Sequence, residues 1–122
     1  LVVVSRRDLT ASYQSVQSGH AVIMFQYEHP KLAEKWYKES NYLIYLSVEN
    51  ESELKQLIQK LQKTNLKYSI FRESDIDDQI TAICIEPSEE TRRLTSSMPL
   101  MLKEYKSEKL LDKNNHKLVL TN

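Results

Sequence analysis

The chain has 122 residues, 40% apolar and 28% charged, with 17 basic and 17 acidic side chains balancing to no net charge. That length suffices for one domain with a real core, and the missing basic excess argues against a protein that grips long nucleic acid over its whole surface. The single cysteine, Cys84, excludes an intrachain disulfide framework and lies in an apolar run, where a buried, inert thiol is expected.

Leu1-Val2-Val3-Val4 is a continuous apolar, β-branched run, the mark of a strand buried on both faces. Arg6-Arg7-Asp8-Leu9 follows and falls at the carboxyl edge of the sheet, where open α/β sheets bind ligands. Thr10 or Ser12 caps a helix running to about Glu28, with Val16, Ile23 and Phe25 as its packing residues. On that helix Tyr13, Gln17 and His20 are spaced four and then three apart, which places them on one stripe. Pro30 suits the first turn of a short second helix through Ala33 and Trp36.

Tyr42 to Val48 reads as the second strand. Asn50 or Ser52 caps a third helix that buries Leu54, Leu57, Ile58 and Leu61, with Asn65 as a left-handed stop. Tyr68 to Phe71 reads as a third strand and Ile80 to Ile85 as a fourth, ended by Pro87, with an acidic connection from Glu73 to Asp78 between them. Ser88 opens a short last helix holding Arg92, Arg93 and Leu94. The order β-α-α-β-α-β-β-α predicts an α/β domain whose mixed sheet has Val3 at its centre and the first helix across it.

The apolar runs are too short to span a bilayer, and no signal-peptide pattern is visible, so no membrane partner and a reduced cytoplasmic setting are expected. The start at Leu1, without methionine and already inside a strand, suggests that a few residues precede it. Residues 103–122 are rich in Lys, Glu and Asn and close on Leu118-Val119-Leu120. They read equally as a solvated tail or as a hairpin over Asn114-Asn115 or added edge strand, outside a domain of residues 1–102. Met98 to Leu102 is apolar enough to fold back onto the core or, with the tail, to join a two-fold homodimer.

The candidate site lies where the first helix begins. Tyr13 and Gln17 are near its N-terminus, where backbone amides favour an anion. A lone histidine such as His20 is more often a buried imidazole bonded to backbone than a catalytic group. Gln17 is harder to explain as packing, because a buried amide needs partners at both ends. Arg6 and Asp8 either pair with each other or serve the site. The acidic loop lacks the central glycine and distal glutamate of a calcium loop and reads as solvated. Glu73 directly follows a strand, so it should reach the same edge as Arg6 and Asp8. The expectation is one cleft holding Gln17, His20, Asp8 and Glu73.

Arg6-x-Asp8-Leu9, Gln17-x-x-His20-Ala21, Phe71-Arg72-Glu73-x-Asp75 and Thr81-Ala82-Ile83 before Pro87 together resemble type II peptidyl-tRNA hydrolases, in particular a divergent bacterial and phage branch. The resemblance covers roughly Leu1 to Leu102. It implies a three-layer α/β/α fold with a four-stranded mixed sheet, no metal, no organic cofactor, tRNA as partner and, in many members, a homodimer. The implied reaction is hydrolysis of the ester joining a peptide to the tRNA 3′ end. Water is the nucleophile, activated by His20 or a carboxylate. His20, Gln17, Asp8 and Glu73 are the implied catalytic residues, and Arg6, Arg7, Tyr13, Arg72 and Thr81 the implied substrate-binding ones.

This chain departs from the family pattern at two places. Ser12 and Tyr13 stand where the hydrolases carry a Gly-Lys pair. Their Asp-x-Gly-x-Thr loop and following Gly-Thr-x-Thr are replaced by a shorter acidic stretch that keeps only Thr81. The departures leave two expectations: an ester hydrolase, or a binding module on the same fold for RNA, a nucleotide or a protein.

Overall fold

The valines of β1 (Val2–Arg6) have no polar group to satisfy and two branched carbons that suit a pleated surface, and all five positions of the strand are buried. The computed structural model describes residues 1–102; the expectations for residues 103–122 lie outside them. With β2 (Ile44–Val48), β3 (Tyr68–Glu73) and β4 (Gln79–Ile85), β1 forms a four-stranded sheet in the order β2-β1-β4-β3. The β1 strand pairs parallel with β2 and antiparallel with β4, and β3 is antiparallel to β4. Three strands therefore run the same way, and β1, β2 and β3 deliver their carboxyl ends to one edge. Val3 is fully buried near the centre, as expected.

Helices cover both faces, giving an α/β domain of three layers. On one side α1 (Ala11–Glu28) and α2 (Pro30–Glu39) pack on Leu1, Val3, Ala82 and Cys84 through Ala21, Phe25 and Ala33. On the other, α3 (Glu51–Leu61) buries Leu54, Leu57, Ile58 and Leu61 against Val2, Val4, Ile83 and Ile85. The short α4 (Glu89–Thr95) adds Leu94 to that side. Caps choose among the sequence alternatives: Thr10 accepts from the Tyr13 amide, Asn50 from Glu53 and Ser88 from Thr91. Cα partners in β2 begin only at Ile44, while β3 and β4 extend to Glu73 and back to Gln79.

Three local expectations need correction. Val16 and Ile23 are not packing residues, being 55% and 65% exposed. The buried residues of α1 are instead Gln14, Gln17, Ser18, Ala21 and Phe25. Its first half meets the buried hydroxyl of Thr81 through Gln17, so side chains that can hydrogen-bond replace hydrocarbon there. Asn65 is absent from the left-handed positions, which among the described residues are Asn41, Asp77, Asp78 and Leu102. Instead Thr64 ends the helix by donating its hydroxyl to the Leu61 carbonyl at 2.7 Å.

The segment after α4 folds back. Met101 is buried, Met98 packs on the α3 side of the core, and Leu100 bridges Leu46 antiparallel at the outer side of β2. Leu100 and Leu102 stay exposed.

Candidate active site

The site begins with an irregularity in the sheet. Phe71 faces Ala82 across the β3–β4 pair, but Arg72 faces Ile80, so Thr81 is an extra residue. Such a bulge re-aims a side chain. Thr81 turns toward α1 and donates its hydroxyl to Gln17 Oε1 at 2.6 Å. That bond fixes the amide's orientation, and Gln17 Nε2 donates to Glu73 Oε1 at 2.9 Å. Both Thr81 and Gln17 are buried. A buried hydroxyl thus positions a buried amide, which holds a solvent-accessible carboxylate at the carboxyl edge.

Glu73 is also tied from its own strand end. Its second oxygen accepts from the Asp75 amide at 3.3 Å, capping the short 3-10 turn Ser74–Ile76. The Gln17 hydrogen bond, then the Asp75 amide, hold the Glu73 carboxyl below its ordinary range, with His20 nearby adding to the effect. Strand alternation puts Phe71 on the same face as Glu73. The His20 ring stacks on Phe71 with centroids 4.7 Å apart and planes 9° from parallel. His20 is therefore exposed and stacked, not the buried, backbone-bonded imidazole expected of a lone histidine. Among the described histidines it is His29 that contacts a backbone carbonyl, that of Tyr68, at 3.1 Å. Tyr13, one turn before Gln17, is partly buried; desolvation and the charges of Glu73 and Asp75 push its phenol up, so it stays protonated.

Asp8 does not join this group. Arg6 shares its face of β1 with Val2 and Val4, the side covered by α3. Its guanidinium holds Asp8 through two bonds of 3.0 and 2.8 Å and also reaches Gln79 Oε1 and the Ile80 carbonyl. The expected single cleft is thus two clusters on one edge but opposite faces: Gln17, His20 and Glu73 toward α1, Arg6 and Asp8 toward α3. The bidentate bond to Arg6 holds the Asp8 carboxyl low.

Arg7 and Arg72 also point elsewhere. Arg7 donates to the Ser47 carbonyl and hydroxyl at 3.1 Å and faces Glu49. It borders a cavity of about 490 Å³ with Ala11, Gln14, Leu100 and Leu102, away from Glu73. Arg72 reaches the Asp78 carbonyl at 3.3 Å. Among the described residues Glu73 has no ion pair. Nor do three His, Cys, Asp or Glu side chains gather among them as metal ligands would. Burial pushes the Cys84 thiol up to about 12, so it stays an unreactive core group. Phe71 belongs to the site without having been singled out as a residue of it; its signal was the period-two spacing to Glu73.

Fold and site together define an α/β domain with a polar, carboxylate-centred site at the carboxyl edge of a mixed sheet. A family model described as Peptidyl-tRNA hydrolase PTH2 matches residues 1–101, a span that contains every strand and helix above, and the chain belongs to that family. No curated protein matches the chain. Among the described residues no helix is long and apolar enough to cross a membrane.

Proposed function

We propose that the chain hydrolyses the ester between a peptide, or an acylated amino acid, and the tRNA 3′ end, with Glu73 as the carboxylate that activates water. The observation that carries this reading is the Thr81–Gln17–Glu73 chain of hydrogen bonds, which holds one ionised carboxylate at the sheet edge. A water oxygen bonds to the ester carbonyl carbon as its proton passes to Glu73. The tetrahedral oxyanion collapses, the bond to the ribose oxygen breaks, and Glu73 returns the proton to that oxygen. The products are a free carboxylic acid and a tRNA hydroxyl. Gln17 acts through Glu73, since both ends of its amide are engaged. The Tyr13 phenol supplies a neutral donor to the oxyanion where the resembling hydrolases place a lysine. A tRNA substrate sets this activity in the cytoplasm.

The test is release of the acyl-amino acid from N-acetyl-aminoacyl-tRNA by the full chain. An untouched ester at excess enzyme, with tRNA still bound, supports the second reading, a binding module. One observation favours that reading: Arg6, Arg7 and Arg72 are committed elsewhere, so among the described residues none of these three arginines gives the site the cation that stabilises an oxyanion most strongly. We also propose a homodimer through the exposed Leu43, Ile44, Leu100 and Leu102 beside β2. Light scattering at micromolar concentration tests it, and a monomer mass refutes it.

A further inference from the structure

We propose that the exposed face of His20, backed by Phe71, is a stacking ledge for the terminal nucleobase of the tRNA acceptor end. This rests on the ester-hydrolase reading for the identity of the ligand.

Three observations carry it. First, the imidazole is oriented by an aromatic ring and not by a hydrogen bond. Its plane lies 9° from that of Phe71, and among the described residues its ring nitrogens have no partner. A histidine that works as a base is normally held in one tautomer by a bond through its second nitrogen. Glu73, the near carboxylate, spends its bonds on Gln17, Ser74 and Asp75 instead.

Second, the ledge is stiff and half open. Phe71 packs into the core cluster of Ala21, Phe25 and Ala82, so it cannot turn away. His20 is exposed, so one face of the imidazole lies on Phe71 and the other meets solvent. Unstacked bases of single-stranded RNA ends are recognised on such planar side chains.

Third, the spacing suits a nucleoside ester. His20 is one helical turn from Gln17, roughly 4.5 Å along the axis. Phe71 is two residues from Glu73, roughly 6.6 Å along the strand. A base on the ledge puts its own ribose, and the ester on it, beside the carboxylate. Stacking needs no charge, which fits a carboxylate that has no ion pair among the described residues.

The experiment uses the full chain and the trinucleotide C-C-2-aminopurine, whose fluorescence falls when the last base stacks. Binding to the wild type should quench it. His20→Ala should lose the quench and weaken binding about tenfold, while His20→Phe should restore both. A version with an abasic last nucleotide should bind as weakly to the wild type as the intact one does to His20→Ala. Absence of binding at millimolar trinucleotide overturns the ledge, as does binding without quenching. Equal binding of the abasic version, or an unchanged affinity in His20→Ala, also overturns it. A quenched trinucleotide together with an untouched acyl-tRNA ester would keep the ledge and remove the hydrolase.

Discussion

Gln17 and Glu73 lie 56 residues apart in sequence and meet at 2.9 Å across the gap between α1 and β3. The contact joins the buried interior of the domain to its solvent edge. Because Gln17 is the first cause of the low Glu73 pKa, it also sets the pH at which the carboxylate is available. A depressed carboxyl keeps its charge, and the native-state stabilisation that goes with it, above its unfolded pKa and loses both as pH falls through the folded value. Gln17→Ala should therefore move the acid limb of the pH–rate profile upward, toward the ordinary glutamate range. Turnover at neutral pH should fall ~10²-fold. An acid limb that stays in place would show that Glu73 is not the titrating group.

Thr81 is predicted to matter through its hydroxyl alone. Thr81→Val keeps the volume but leaves the Gln17 Oε1 buried without a donor, which costs about 1–3 kcal/mol. Denaturant unfolding should read that loss, and the pH–rate profile should shift in the same direction as for Gln17→Ala. Thr81→Ser should recover both. A Thr81→Val protein with wild-type stability and profile would mean that the bond does not hold Gln17.

The outer face of α1 provides a contrast. Ile23→Lys should change stability by less than about 0.5 kcal/mol, because the side chain is 65% exposed. Phe25→Ala, two residues on, should cost about 3–5 kcal/mol, since that ring is fully buried. Thermal unfolding distinguishes the two, and equal losses would contradict the orientation of the helix.

That contrast shows where the sequence was legible. The strands were readable because apolar β-branched runs have one economical fate, burial on a sheet. The α3 stripe of Leu54, Leu57, Ile58 and Leu61 was readable for the same reason. The α1 face was not, because its buried side holds Gln14, Gln17 and Ser18, with the Thr81 hydroxyl bonded to Gln17, while Val16 and Ile23 face water. The shared edge of Gln17, Glu73 and Asp8 followed from strand order. Their faces did not, though the parity of Arg6 with Val2 and Val4 already held the answer for Asp8. The turn of Thr81 toward α1 depends on a bulge that no local residue pattern announces.

Tyr13→Lys tests the chemistry from the opposite direction. An ammonium on the Gln17 stripe, close to Glu73 and Asp75, supplies the charge that the phenol cannot. Turnover of N-acetyl-aminoacyl-tRNA should rise about tenfold at neutral pH. A fall would mean that Tyr13 contributes something specific to its ring or hydroxyl.

The most direct measurement is single-turnover deacylation of N-acetyl-aminoacyl-tRNA by wild type and Glu73→Gln side by side. Glutamine preserves the size of the side chain and removes its capacity to take a proton from water. The wild type should release the acyl-amino acid, and Glu73→Gln should be slower by ~10²-fold or more while remaining folded. Equal rates for the two proteins would contradict the central claim that Glu73 activates water.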